Sequence, residues 1–159
     1  MQSRLEAQQA APAVYTVVLR LALAASFLSA VADRFGLWGK YGEPNVAWGD
    51  FSHFILYTGR LTSILPIALV PAMAWTATVA ETVLGLALLV GWRTRPAAFL
   101  SGVLLLVFAV SMTCSLGIKA PLDFSVFSAS AGAFLLSNGN RYPFSLDAMK
   151  GISSSNKEA

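Results

Sequence analysis

The chain has 159 residues, 56% hydrophobic and 12% charged, with a mean hydropathy of +0.64. Soluble domains carry about 25% charged residues, and a chain this short has little interior in which to hide so much apolar side chain. The composition therefore argues against an ordinary soluble domain and asks for lipid-facing surface, with an unusually apolar soluble helical bundle as the alternative. The net charge of +3 comes from scattered basic residues without an aromatic–basic groove pattern, so it does not point to nucleic acid.

Residues 1–12 read as a polar tail, ending at Pro12. The first apolar run, 13–33, is about 30 Å long as a helix, one hydrocarbon thickness, and contains Arg20. Its end, Ala30-Val31-Ala32 before Asp33, also fits a secretory signal with an A-x-A cleavage site. Apolar residues begin well before Arg20, which favours an uncleaved first span; an intact-mass measurement decides it.

The next stretch, DRFGLWGKYGEPN, has the Gly, Pro and Asn punctuation of a loop. In 47–65, Phe51, Phe54, Ile55, Leu61, Ile64 and Leu65 recur mostly at three- and four-residue spacing, with Asp50, Ser52, His53 and Arg60 on other faces. One or two amphipathic helices at the membrane interface are expected there. Trp38, Tyr41, Trp48 and Tyr57 suit an aromatic belt.

The second span is 67–91, with Pro71 able to kink its start and Glu81 near its middle. The short link WRTRP makes the third span, 97–118, its antiparallel neighbour. The fourth span, 122–137, is short and rich in Ser, Ala and Gly, which let helices approach closely in lipid, so it is expected to lie buried. Residues 1–148 make one domain, all-α, an integral membrane four-helix bundle, and 149–159 a disordered tail.

Four spans put six Lys and Arg (Arg4, Arg93, Arg95, Arg141, Lys150, Lys157) on the side of both termini. Four (Arg34, Lys40, Arg60, Lys119) fall on the other. With two Arg in the short 92–96 link, the side of the termini is expected to be cytoplasmic.

Arg20 and Glu81 are the main candidate site, because a charge at membrane depth is costly and must pair or line a cavity. Counted from the cytoplasmic ends of their helices, they differ by three residues, about 4.5 Å of rise, and are expected to form an ion pair. That pair either pins two helices or binds the polar head of a lipid, quinone or other small ligand. Asp33, Arg34 and Asp123 are secondary candidates, read first as two solvated flank charges and a cap on the fourth helix, with Asp123 also able to face a cavity with Lys119. His53 reads as an interfacial side chain, and Trp75 and Met73 as core packing in preference to a pocket lining. The one cysteine, Cys114, excludes an intrachain disulfide and a CxxC pair, and is expected to be a small buried hydrophobe. No metal or haem ligand cluster is present. Nor is there a nucleophile triad, phosphate loop or dinucleotide fingerprint, so the sequence gives no direct sign of catalysis.

These motifs resemble the DoxX family of bacterial and archaeal membrane proteins. That family's first helix carries an Arg, a Gly, a Phe and a terminal basic residue; RLALAASFLSAVADR supplies Arg20, Phe27 and Arg34, with Ala24 and Val31 where the glycines usually stand. ETVLGLALLVGWRTRPAA matches more closely through Glu81, Gly85, Leu88, Gly91, Arg95 and Ala98. NGNRYPFSLDAM is similar to the family's Gly-Arg-Tyr-Ser-Leu-Asp ending, with Pro143 and Phe144 inserted. The likeness runs from about residue 13 to 148 and implies a four-helix bundle in a bacterial inner membrane. Related DoxD proteins form part of a thiosulfate:quinone oxidoreductase, so the resemblance implies a membrane subunit or accessory of a quinone-linked redox system, with a redox partner protein or complex. The alternative is a non-catalytic membrane protein that binds a lipid or small lipophile or scaffolds an assembly; a small transporter is the third reading, disfavoured by the lack of an internal repeat.

Overall fold

The computed structural model describes residues 2–63, 65–139 and 142–149, with side chains from residue 13 onward. The described residues form helices and connecting turns, with no strand among them. Helix α1 runs Gln2–Arg34, α2 Phe51–Leu61, α3 Val70–Val90, α4 Thr94–Leu116, α5 Lys119–Asp123 and α6 Val126–Ser137. The proposed tail 149–159 falls almost wholly outside the described residues.

Three stretches are long and apolar enough to cross a membrane: Ala13–Arg34, Ile67–Val90 and Thr94–Leu116, of 22, 24 and 23 residues. Large apolar side chains such as Val79, Val83, Leu100 and Val107 lie exposed along them, as the composition requires. Pro71 stands in the first turn of α3 behind a 3-10 turn, Ile67–Leu69. An N–H missing there is one the helix would leave unpaired anyway, so the proline opens α3 rather than bending it. Gly91 ends α3 in the left-handed conformation, its N–H donating to the Leu88 carbonyl and that of Trp92 to the Ala87 carbonyl.

The expected fourth span is broken. Backbone at Ser125 turns left-handed (φ 54°), separating five-residue α5 from twelve-residue α6. Twelve residues rise about 18 Å, well short of a hydrocarbon core. Asp123 therefore caps nothing: it is the last residue of α5 and pairs at the surface with Lys119. Helix α6 is covered on one face, where Ser130, Ala133, Leu136 and Ser137 are buried, while Ser128, Ala131 and Leu135 are exposed. Cys114 is exposed on α4, not buried.

One core draws Leu23, Ala24 and Phe27 from α1, Leu84, Ala87 and Leu88 from α3, Ala97 and Ala98 from α4, and Ala133 and Leu136 from α6. Half of it is alanine, so the backbones run close. A Cβ on Gly102 would stand 2.8 Å from the Phe134 ring, and the Ser130 hydroxyl donates to the Gly102 carbonyl at 2.8 Å. In lipid, such close packing and interhelical hydrogen bonding must do what hydrophobic burial does in water.

Residues 47–65 supply one amphipathic helix, α2, which packs on α3 and α4 beyond the end of α1. Asp50 caps it through the His53 N–H at 2.9 Å, and the His53 ring stacks on Tyr41 with centroids 3.7 Å apart. Phe51 packs on Trp75 at 4.3 Å and Phe35 at 5.9 Å, so α2 is fixed to α3 and to the end of α1 by aromatic contacts. Trp75 is half exposed, so it serves this contact rather than the interior.

Candidate functional site

Helices α1 and α3 run antiparallel, and their register decides which charges meet. Gly91 lies against Arg20: a Cβ there would stand 2.3 Å from Arg20 Nη1. Six residues back along α3, Gly85 faces Phe27 and Leu28. Glu81 is ten residues from Gly91, about 15 Å along the helix, and so far from Arg20. The expected Arg20–Glu81 pair does not form. Glu81 pairs with Arg34, with Nη2 and Oε2 2.6 Å apart. Counting inward from equal helix ends failed because α1 begins at Gln2 and runs past the end of α3.

The arginines of α1 thus define two buried polar centres. At the α2 end, Arg34 is 2% exposed, Glu81 2% and Asp33 5%, which corrects the reading of Asp33 and Arg34 as solvated flanks. Arg34 Nη1 donates to the Thr78 hydroxyl at 2.9 Å, and that hydroxyl donates in turn to the Ala74 carbonyl. The Phe54 ring of α2 lies over the guanidinium, centroid 3.7 Å from Cζ, and Trp48 lies at 5.3 Å. Asp33 Oδ2 accepts from the backbone N–H groups of Ala47 and Trp48, both at 3.0 Å. It thereby ties the loop before α2 to the end of α1. The aromatic cover explains the burial: the loop and α2 fold over the end of α1, while α3 continues past it.

This centre is not fully satisfied. Arg34 Nε and Asp33 Oδ1 are buried without a hydrogen bond, whereas Glu81 Oε2 is held by Arg34 in the ion pair. Unmet donors and acceptors in so dry a place are costly.

At the other end, Arg20 is 3% exposed and Nη2 donates to the Phe144 carbonyl at 2.6 Å. The segment 142–149 folds beneath the α3–α4 turn. Asp147 accepts from the N–H groups of Arg93 (2.9 Å) and Thr94 (2.7 Å), capping α4 from a distant part of the chain. Its own N–H donates to the Gly91 carbonyl, and its charge acts on Arg20. The Tyr142 hydroxyl donates to Leu136 O at 3.0 Å. Burial raises its pKa, against the opposing field of Arg95, and keeps it a donor. Arg20 Nε and Nη1 and the wholly buried Thr94 hydroxyl lack partners.

Sequence reasoning missed Asp147 and Thr78. The first was signalled only by its place in the family-like ending, the second only by lying one turn from Glu81. No cluster of three or more potential metal ligands occurs among the described residues. Comparison with known proteins returned no matching family model, no matching curated protein and no matching solved structure.

Proposed function

We propose that the chain is a DoxX-like four-helix integral membrane protein of a bacterial inner membrane, with both ends cytoplasmic. In this reading it is a membrane subunit or accessory of a quinone-linked redox system, and the α2-end centre holds the polar head of the quinone. One observation carries the reading: Arg34 Nε and Asp33 Oδ1 are deeply buried without a hydrogen bond, beside an Arg34–Glu81 ion pair that lies under an aromatic cover. A quinone carbonyl accepts from an arginine N–H, and a quinol hydroxyl donates to a carboxylate, so this donor–acceptor set suits both forms. Any redox step belongs to the quinone and a partner; this chain's residues bind and orient it and exclude water.

The test is what copurifies. Protein extracted with native lipids should carry quinone, identified by mass spectrometry of the bound lipophiles. Arg34→Gln and Glu81→Gln should each lower quinone retention about tenfold or more, the weight of a hydrogen bond to a charged group. Phospholipid alone in parent and variants sinks the redox reading and leaves the lipid-binding alternative.

The Phe54 ring, 3.7 Å above Arg34, favours a second reading, in which Arg34 clamps α1, α3 and α2 together and binds nothing. In that case the same substitutions change thermal stability and leave bound lipophiles unaltered.

A further inference from the structure

The tail segment 142–149 is held with more contacts than a loose end needs, yet it displays apolar side chains. Arg20 grips Phe144 O, Asp147 caps α4, and Ser145 donates to the Tyr142 carbonyl while accepting from Ala148 N–H. Phe144 itself stands in the left-handed region, φ 50°, strained for a residue with a Cβ, and the residue is 89% exposed. Leu146 and Met149 are exposed beside it. A strained backbone persists only where its surroundings impose it, and here they impose an outward phenyl ring. Next to it, the α3–α4 turn presents Trp92, 44% exposed, with the Arg93 guanidinium over its ring at 5.6 Å, and the exposed Arg95. Asp147 spends both carboxylate oxygens on the N–H groups that open α4, and among the described residues Arg93 and Arg95 bring positive charge to this surface. Exposed apolar residues of α3, such as Leu89 and Val90, run directly into it.

We propose that segment 142–149, with Trp92, Arg93 and Arg95, is a membrane-surface foot that takes the headgroup of an anionic phospholipid in the leaflet at this end. Phe144, Leu146 and Met149 enter the boundary between headgroups and acyl chains, as the apolar face of an interfacial segment does. Trp92 sits at the same level as a belt residue, and the two arginines meet the phosphate. The proposal rests on the membrane reading but not on quinone.

The experiment uses the full chain in nanodiscs of phosphatidylcholine, with or without phosphatidylglycerol. Cys114, the single native cysteine, is replaced (Cys114→Ser), and a fluorophore is attached through Phe144→Cys or, in a second sample, Val103→Cys on α4. The Phe144 probe should be quenched by lipid spin-labelled near the top of the acyl chain and the Val103 probe by lipid spin-labelled near the chain end, with both shielded from aqueous iodide. If the Val103 site is quenched and the Phe144 site is not, the foot is wrong while the membrane reading stands; if neither is quenched, both fall. In native mass spectra the parent should prefer phosphatidylglycerol, and Arg93→Gln and Arg95→Gln should each lower that preference about fivefold. No preference in the parent overturns the anionic-lipid assignment. Phe144→Gly, which suits φ 50°, should keep or raise thermal stability in neutral detergent; a clear loss would make the ring a packing element and overturn the proposal.

Discussion

Helix α1 buries two arginines fourteen residues apart, Arg20 and Arg34, and the protein compensates them in different ways. Arg34 meets a side-chain charge on the neighbouring helix, a hydroxyl and an aromatic ring. Arg20 meets a backbone carbonyl, and the acid nearest to it spends its two oxygens on the N–H groups that open α4. The α2 end is therefore an ion-pair centre between transmembrane-length helices. The tail end is a backbone clasp, in which helix termini and a charged side chain share the load. The difference teaches that a buried arginine in an apolar helix does not by itself imply a buried acid facing it. Free N–H and C=O groups at helix ends are a second source of compensation.

Removing one partner from each centre gives the largest contrast. Arg34→Ala leaves Glu81 buried and uncompensated, and should destabilise the protein in detergent by about 3–5 kcal/mol. Arg34→Met and Glu81→Leu should each be similarly costly, and the two together should cost less than either alone, because the double replacement leaves no charge behind. A denaturant titration of the four proteins forms the cycle; additive losses would show that the pair is not the unit. Arg20→Ala removes a hydrogen bond to a carbonyl, and should cost about 1–3 kcal/mol. A loss as large as that of Arg34→Ala would mean that Arg20 is neutralised by Asp147 as an ion pair, and would erase the contrast.

Much of the fold was legible because hydropathy reports spans directly. Three of the four predicted spans appear within a few residues, and the amphipathic cover appears as α2. The fourth is divided at Ser125 by a left-handed residue; a serine in an apolar run carries no such signal. The candidate site was half legible. Glu81 is buried and paired, but which arginine it meets depends on helix register. Register is written in contacts such as Gly85 against Phe27 and Leu28 and Gly91 against Arg20, which link residues more than fifty positions apart. Asp33 was read as solvated because its acceptor role is towards Ala47 and Trp48, donors that come near only once the loop has folded over.

Asp147 tests the clasp more gently. Asp147→Ala strips two N–H groups of α4 of their cap, and should cost about 1 kcal/mol. It should also loosen segment 142–149, so hydrogen exchange at the Arg93 and Thr94 amides should quicken while amides around Glu81 keep their protection. Equal acceleration at both ends would mean that the two centres belong to one cooperative unit.

The smallest effect belongs to the cover of the α2 end. Asp50 accepts from the His53 backbone N–H and from its ring, and these bonds, the backbone one foremost, hold its carboxyl below the ordinary value. A carboxyl depressed in the folded state stabilises the fold at pH above its unfolded value. That contribution fades as pH falls through the ordinary range and is gone below the depressed value. Acidification into that window should therefore fray the start of α2 and loosen the stack of His53 on Tyr41, readable as faster exchange at the His53 amide. Asp50→Asn should flatten this pH dependence while keeping an oxygen at the cap. If the parent and the variant respond alike to acid, the Asp50 cap is not the source of the pH dependence.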